Sequence, residues 1–138
     1  MRMADEAENK RYVAVIVETM TEPRVEEIDG SLEGMQKLVG GLIEVVSPFP
    51  DDPDTVVVCN EEGKLMNLLP NRFLKDENGE PYDVICGDFF VLGSGEDGDF
   101  ASLTKTQIDR CLKEYGSEML FTAREKPQAK KDRVDPVR

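Results

Sequence analysis

The sequence contains no histidine and no tryptophan among its 138 residues. The absence of imidazole excludes mechanisms that use it as a general base, a proton shuttle or a metal ligand. Ser-His-Asp and Cys-His hydrolases, zinc hydrolases and zinc deaminases are therefore excluded together. Carbohydrate cleavage by a carboxylate pair is disfavoured, because the chain has few aromatic rings to stack on a sugar.

Positive charge is also scarce. The chain has 17 lysines and arginines against 29 aspartates and glutamates, which gives a net charge of -12. A mean field of this sign opposes binding to nucleic-acid phosphates and to anionic membrane surfaces. We therefore expect no direct nucleic-acid binding and no membrane attachment.

Long apolar runs are missing, and cysteines are few. No run approaches the roughly 20 residues of a membrane-spanning helix, and the first six residues lack the apolar core of a secretion signal. The three cysteines, Cys59, Cys86 and Cys111, are far apart and have apolar neighbours. This setting favours buried, reduced thiols. Together these features predict a soluble intracellular protein.

The length supports one domain of ordinary size, which we expect at residues 11–123. Residues 1–10 have no apolar period, which predicts a disordered acidic leader. Residues 124–138 hold six basic and three acidic residues, two prolines and no aromatic residue. That composition predicts a disordered basic tail, either solvated, folded back onto the acidic domain or docked on a separate partner.

Apolar, β-branched runs predict a β-rich core. Five runs are expected to supply it: residues 13–17, 42–46, 56–58, 84–85 and 89–92. Residues 12–17 are typical of a central strand, and residues 24–28 alternate weakly, as an exposed hairpin partner would. A single long strand is expected over residues 83–92, with Gly87 at a bulge or a close backbone approach.

A second hairpin is expected around residues 60–64. This loop lies between the apolar segments 56–59 and 65–68. Gly63 within it can take the positive φ that a hairpin bulge requires.

Capping residues predict two helices. Ser31 precedes apolar residues at helical spacing, which indicates a helix over 31–39. Thr104 followed by Gln107 forms a capping box for a helix over 104–115. The predicted fold class is α+β, with a mixed, mostly antiparallel sheet of five or six strands and two helices on one face.

Three acid-rich patterns superficially match known sites. Asp54, Glu62 and Lys64 have the spacing of a magnesium nuclease, but they fall on loops rather than on one rigid strand. Residues 93–99 have the glycines of a phosphate loop, but their three carboxylates would repel phosphate. Residues 93–99 and 76–80 both lack the ligand pattern of a calcium loop. We expect solvated turns, no catalytic residue, no metal site and no cofactor.

Two polar residues, Asn71 and Arg72, interrupt the apolar segment 69–74. Arg72 and the Asn71 amide would hold an anionic ligand if Gly87 lets a backbone approach. In the alternative, Asn71 starts a helical turn and Arg72 pairs with a neighbouring carboxylate. The candidate ligand-binding residues are Asn60, Asn71, Arg72 and Gly87.

Four segments, in this order, resemble the domain of unknown function family 3846: residues 27–46, 60–65, 69–72 and 85–93. The resemblance extends over about residues 12–115. It implies a small cytoplasmic protein of Gram-positive bacteria, their phages or mobile elements, and it implies no activity. The recurrent positions of the family fall on Asn60, Gly63, Asn71, Arg72 and Gly87, which suit turns as well as they suit a site.

Three functions stand as hypotheses. Small size and missing catalytic groups favour a non-enzymatic binding protein that acts on a host protein or a host signal. A second hypothesis is the binding or turnover of a small, nucleotide-like anion at Arg72. The third is a DNA mimic whose carboxylates occupy a nucleic-acid-binding protein, although the acids are spread over successive loops.

Overall fold

The structure, a computed structural model, describes residues 10–117. Its strands are β1 Arg11–Val17, β2 Arg24–Asp29, β3 Ile43–Val46, β4 Thr55–Asn60, β5 Pro70–Lys75, β6 Pro81–Cys86, β7 Phe89–Ser94 and β8 Phe100–Ala101. Its helices are α1 Leu32–Val39 and α2 Lys105–Gly116. The predicted α+β class is confirmed. The expected leader, apart from Lys10, and the expected tail lie outside the described residues.

The main sheet has the strand order β2-β1-β7-β4-β3, and β8 pairs with β7. Each pairing between described strands is antiparallel, so this part of the chain shows no mixed sheet. The interior position of β1 was predicted, and all side chains from Ala14 to Val17 are buried. The short pairing of β7 with β8 places residues 95–99 at an exposed hairpin tip, as expected.

A second sheet consists only of β5 and β6, and it shows that the single strand expected over residues 83–92 is wrong. Gly87 has φ +94°, and the chain turns there. Residues before it therefore join the small sheet, and residues after it join the main sheet. A Cβ at Gly87 would lie 2.7 Å from Leu68 Cδ1, so the expected close approach is confirmed.

The hairpin expected around residues 60–64 is also wrong. Residues 61–67 form turns, and β4 pairs with β3 and β7 rather than with 65–68. Asn67, not Gly63, has positive φ there. A side chain is excluded at Gly63 for another reason, because its Cβ would lie 2.5 Å from the backbone oxygen of Cys86.

The run 42–46 supplies the core only in part, through Ile43 and Val46, which are half-buried and pack against the core clusters. Its strand, β3, lies at an edge of the main sheet, and Leu42 and Val45 are exposed. An edge strand has a neighbour on one side only, so its side chains are less covered than those of β1 or β4.

Both helices begin as predicted. The Ser31 side chain accepts from the Gly34 amide at 3.0 Å, and Gly40 closes α1 with φ +81°. Thr104 and Gln107 form the expected capping box at the start of α2. Since these polar groups satisfy the free amides of each first turn, the helix boundaries follow the sequence signals closely.

The helices lie on opposite faces of the main sheet, so the expectation of one covered face is wrong. Helix α1 packs Met35 and Val39 against a cluster that includes Ala14 and Ile16. Helix α2 packs Cys111 and Tyr115 against the cluster that includes Val15 and Val17. Successive side chains of β1 point to opposite faces, and both sets are buried, so each face requires its own cover. Neither helix is long and apolar enough to cross a membrane within the described residues.

Candidate functional site

Asn71 connects the two sheets. Its side chain is buried, and Nδ2 donates to the backbone oxygens of Val17 and Gly87, each at 2.9 Å. Val17 ends β1 in the main sheet, whereas Asn71 belongs to β5 in the small one. Its Oδ1 accepts from Arg72 Nη1 at 2.5 Å. The amide therefore joins the end of β1, the Gly87 turn and the neighbouring guanidinium in one buried network.

Arg72 is fully buried, and its donors point to oxygens of the protein. Nε donates to the backbone oxygen of Tyr115 and Nη2 to that of Thr21, both at 2.9 Å. The last turn of a helix exposes carbonyl oxygens with partial negative charge, which a cation stabilises. Arg72 thus caps the carboxyl end of α2 from another element.

No carboxylate of a described residue forms an ion pair with Arg72. Burial lowers the pKa of Arg72, and the charge of nearby Glu22 partly opposes that shift. Residues 70–75 form a strand, so the alternative of a helical turn with a carboxylate partner is wrong. The buried guanidinium is stabilised by carbonyl and amide oxygens instead.

Asn60 lies away from this network, at the end of β4. Its Nδ2 donates to the Val39 oxygen at 3.1 Å, and its Oδ1 accepts from the Glu62 amide at 2.7 Å. It thereby holds the end of α1 against the turns at 61–67. The structure brings Asn71, Arg72 and Gly87 together and leaves Asn60 apart, and ligand binding by these four residues stays a prediction.

A cavity of about 270 Å³, which we call the sheet groove, lies between the small sheet and the β3–β4 edge of the main sheet. Glu44, Glu61 and Asp83 bring carboxylates to it, and Lys64 brings a cation. Lys64 Nζ pairs with Asp83 Oδ1 at 2.5 Å, and this contact lowers the pKa of Asp83 and raises that of Lys64. Lys64 lies in the turns at 61–67 and Asp83 lies in β6, 19 residues later, so no sequence pattern indicated their pairing.

Two thiols also line the sheet groove, those of Cys59 and Cys86. Burial raises the pKa of Cys59 to about 11 and also raises the pKa of Cys86. A nucleophilic cysteine needs a thiolate near neutral pH, so these shifts oppose covalent catalysis in the groove. All three cysteines are free, as predicted, and Cys59 and Cys111 are buried.

A second cavity, of about 280 Å³, lies beside α2. Arg110 donates to both carboxylate oxygens of Asp51, at 2.8 and 3.0 Å, and its guanidinium lies 3.9 Å from the centre of the Phe49 ring. These hydrogen bonds lower the pKa of Asp51. The Arg110 guanidinium thus already binds a carboxylate and packs on an aromatic ring, as in a structural contact at the protein surface.

Two acidic loops adjoin at one end of the main sheet. The Ser94 amide donates to the Asp54 oxygen at 2.8 Å, and Thr55 pairs with Gly93. We call this region the acidic end and define it by its carboxylates: Asp51, Asp52, Asp54, Glu96, Asp97 and Asp99. Asp51 is the member of the set that forms an ion pair with a described residue. Acids that are spread along the sequence are therefore partly gathered in space.

The acidic end is not a metal site by its ligand arrangement. Within residues 10–117, no group of three cysteine, aspartate or glutamate side chains is placed to hold a metal ion. Side chains of the acidic end instead stabilise turns. Asp52 Oδ2, for example, accepts a hydrogen bond from the Thr55 hydroxyl at 2.6 Å.

Comparison with known proteins identifies a family. The model of the family described as Domain of unknown function (DUF3846) matches residues 10–116, which include both sheets and both helices. No curated protein and no solved structure shows significant similarity. The match includes the buried network and the sheet groove. Because it covers most of the 138 residues, the chain belongs to the domain of unknown function family DUF3846.

Proposed function

We propose that the protein is a non-enzymatic binding protein whose acidic end holds a basic surface of a host protein. The setting would be the phage or mobile-element context that the family resemblance implies. The acidic end is the observation that carries the proposal, because it gathers six carboxylates from two loops distant in sequence. Charge of one sign concentrated on a surface steers an oppositely charged partner and increases the association rate.

The buried polar groups support binding rather than catalysis. Asn71 and Arg72 donate to oxygens of the fold itself, and the cysteine thiols are protonated near neutral pH. Most of the exposed charge is negative, because residues 10–117 hold 22 acidic and 10 basic side chains. This negative field repels a small anion and attracts a basic protein surface.

A DNA mimic is the special case in which the partner binds nucleic acid. The adjacency of the two acidic loops favours this case, because a mimic requires carboxylates brought together from different parts of the chain. Displacement of the bound host protein by duplex DNA would separate the mimic from other acidic binders.

Capture of partners by the full-length protein tests the proposal. Asp54→Asn, Glu96→Gln and Asp99→Asn together remove three charges from the acidic end. The matched control, Glu33→Gln with Glu62→Gln and Glu80→Gln, removes three exposed charges elsewhere. Proteins retained from a lysate of a Gram-positive bacterium would be identified by mass spectrometry.

We expect a basic protein that the parent and the control retain and that the acidic-end variant loses. Its retention should fall steeply towards about 1 M salt, where the screening length is about 3 Å. Identical retention by all three proteins, or retention that salt does not change, would contradict the proposal.

A further inference from the structure

The two edges of the main sheet present different backbone groups to solvent. In an antiparallel pair, residues alternate between exchanging hydrogen bonds with the neighbour and pointing their N–H and C=O groups away. The Glu61 amide donates to the Leu42 oxygen, and Glu44 pairs with Cys59. Leu42, Glu44 and Val46 therefore bond towards β4. The N–H and C=O groups of Ile43 and Val45 point outwards from β3.

The opposite edge, β2, follows the same rule. The Gly30 amide donates to the Lys10 oxygen, and Val25 pairs with Val15 in that register. Val25, Glu27 and Asp29 consequently direct their backbone groups outwards. Two of those three residues carry charge, which is a common protection of edges against added strands.

Edge β3 has one charged residue, Glu44, whose backbone groups point towards β4 rather than outwards. The residues with outward backbone groups, Ile43 and Val45, are apolar, and Val45 and the preceding Leu42 are exposed. No proline or lysine lies within Ile43–Val46. In the described residues this edge offers a strand two outward amides and two outward carbonyls.

The sheet groove runs beside the same edge. Glu44 and Val46 of β3 line it, with Leu65 on the turn and Asp83 and Val84 on β6. Apolar walls with carboxylates around them suit the aliphatic stem and cationic head of lysine or arginine. The one lysine at the groove, Lys64, is already paired with Asp83, and Glu44 and Glu61 form no ion pair with a described residue.

We propose that β3 accepts an extended, basic segment of a partner protein as a further strand of the main sheet. Main-chain hydrogen bonds to Ile43 and Val45 would hold the segment. Alternate lysine or arginine side chains would enter the sheet groove beside Glu44. A second copy of the chain fits poorly, because it brings another net charge of -12 and another Glu44 to the edge. The inference goes beyond the proposed function, because it concerns a different surface from the acidic end.

The probe is an acetylated, amidated octapeptide in which lysine and valine alternate, and its counterpart has glutamate in place of lysine. Titration by NMR measures affinity and the exchange of the Ile43 and Val45 amides. With the parent protein, we expect the lysine peptide to slow exchange of both amides at least about tenfold and the glutamate peptide to leave it unchanged.

Two proline substitutions form a matched pair. Val45→Pro and Val25→Pro each remove one outward N–H from an exposed edge valine, since the side chains are 46% and 44% exposed. Proline is tolerated at edge positions of this kind. We expect Val45→Pro to weaken binding about tenfold and Val25→Pro to leave it unchanged. Equal affinity of the two variants, or no binding by the parent, would overturn the proposal.

A charge pair keeps the test decisive where Val45→Pro fails to fold. Glu44→Lys reverses a charge at the groove, and Glu33→Lys makes the same change on the exposed surface of α1. Loss of affinity with the first and not the second supports the proposal, and equal affinities oppose it. Neutralising the acidic end leaves this edge intact, so failure of the strand addition is distinguishable from failure of the proposed function.

Discussion

Nε of Arg72 donates to the backbone oxygen of Tyr115 at 2.9 Å, across 43 residues of sequence. This bond ties β5 of the small sheet to the end of α2, which packs on the main sheet. With the bond from Nη2 to the Thr21 oxygen, it makes one side chain the common support of three separate segments.

Arg72→Met should therefore reduce the free energy of unfolding by about 3 kcal/mol or more. The change leaves the buried oxygens of Tyr115 and Asn71 without their donor, and each buried unsatisfied group costs about 1–3 kcal/mol. Urea denaturation measures the effect. Arg24→Met is the control, because Arg24 makes exposed pairs with Glu18 and Glu26 that contribute at most about 1 kcal/mol each. Comparable losses for the two variants would contradict the structural role of Arg72.

Alanine at Gly87 should be more destabilising than alanine at Gly79. Both glycines have positive φ, +94° and +79°, so each substitution costs about 1–2 kcal/mol in backbone strain. A Cβ at Gly79 meets open space, whereas one at Gly87 lies 2.7 Å from Leu68 Cδ1. Overpacking of this kind adds about 1–3 kcal/mol. Thermal unfolding of the two variants measures the difference, and equal losses would show that Leu68 moves aside freely.

The hydroxyl of Tyr115 should be dispensable. The side chain is 1% exposed, and the hydroxyl has no hydrogen-bond partner among the described residues. Its ring packs edge-on against Phe89, with centroids 5.4 Å apart, and this contact persists in phenylalanine. Tyr115→Phe should leave the free energy of unfolding unchanged or raise it by about 1 kcal/mol, because an unpaired polar group is removed. A loss above about 1 kcal/mol would reveal a partner for the hydroxyl.

Thiol labelling should follow burial. Desolvation raises the pKa of Cys59 to about 11 and of Cys111 to about 12, and Cys86 is only partly buried. Iodoacetamide at pH 8 should label Cys86 slowly and should label Cys59 and Cys111 only in urea, as read by mass spectrometry. Rapid labelling of Cys59 in the folded protein would contradict the burial of this β4 thiol.

The same shifts set a pH dependence. The pKa of Cys59 and that of Cys111 are higher in the folded protein than the ordinary thiol pKa of about 8.5. Their contribution to stability is thus complete below about pH 8.5 and is lost as the pH rises towards 11 and 12. Urea denaturation between pH 8 and 11 should show this fall, and Cys111→Ala should make it less steep. If stability falls equally steeply with pH in Cys111→Ala, groups other than this thiol cause the pH dependence.

The helix boundaries were predictable, because local signals determine them. Ser31 with Gly40 bounds α1, and Thr104 with Gln107 starts α2. The placement of the helices on opposite faces was also readable in principle. An unbroken apolar run such as residues 14–17 presents large side chains to both faces of a strand, which requires a cover on each.

The division of residues 83–92 between two sheets was not predictable from local pattern. Val84 and Ile85 resemble Phe90 and Val91 in strand preference, and Gly87 is compatible with a bulge as well as with a turn. What separates the two strands is the φ of Gly87 together with the bond from Asn71 to its oxygen, 16 residues away in sequence.

The candidate residues were recognised for their polarity, but their partners were not. The bonds of Arg72 to Thr21 and Tyr115 span 51 and 43 residues, so no spacing rule indicates them. The sheet groove was missed for the same reason, because Lys64 and Asp83 are 19 residues apart in sequence.

The pairing of Val15 with Val91 puts one of the earliest strands beside one of the latest. During synthesis, the edge of β1 that will receive β7 stays open while some seventy intervening residues emerge. Topologies dominated by such distant pairings fold slowly and expose unpaired edges in the meantime. A ribosome-bound chain stopped before Phe89 should consequently remain sensitive to protease and depend on chaperones. In the finished chain, β7 can pair with β1 and complete the centre of the main sheet in a single late step.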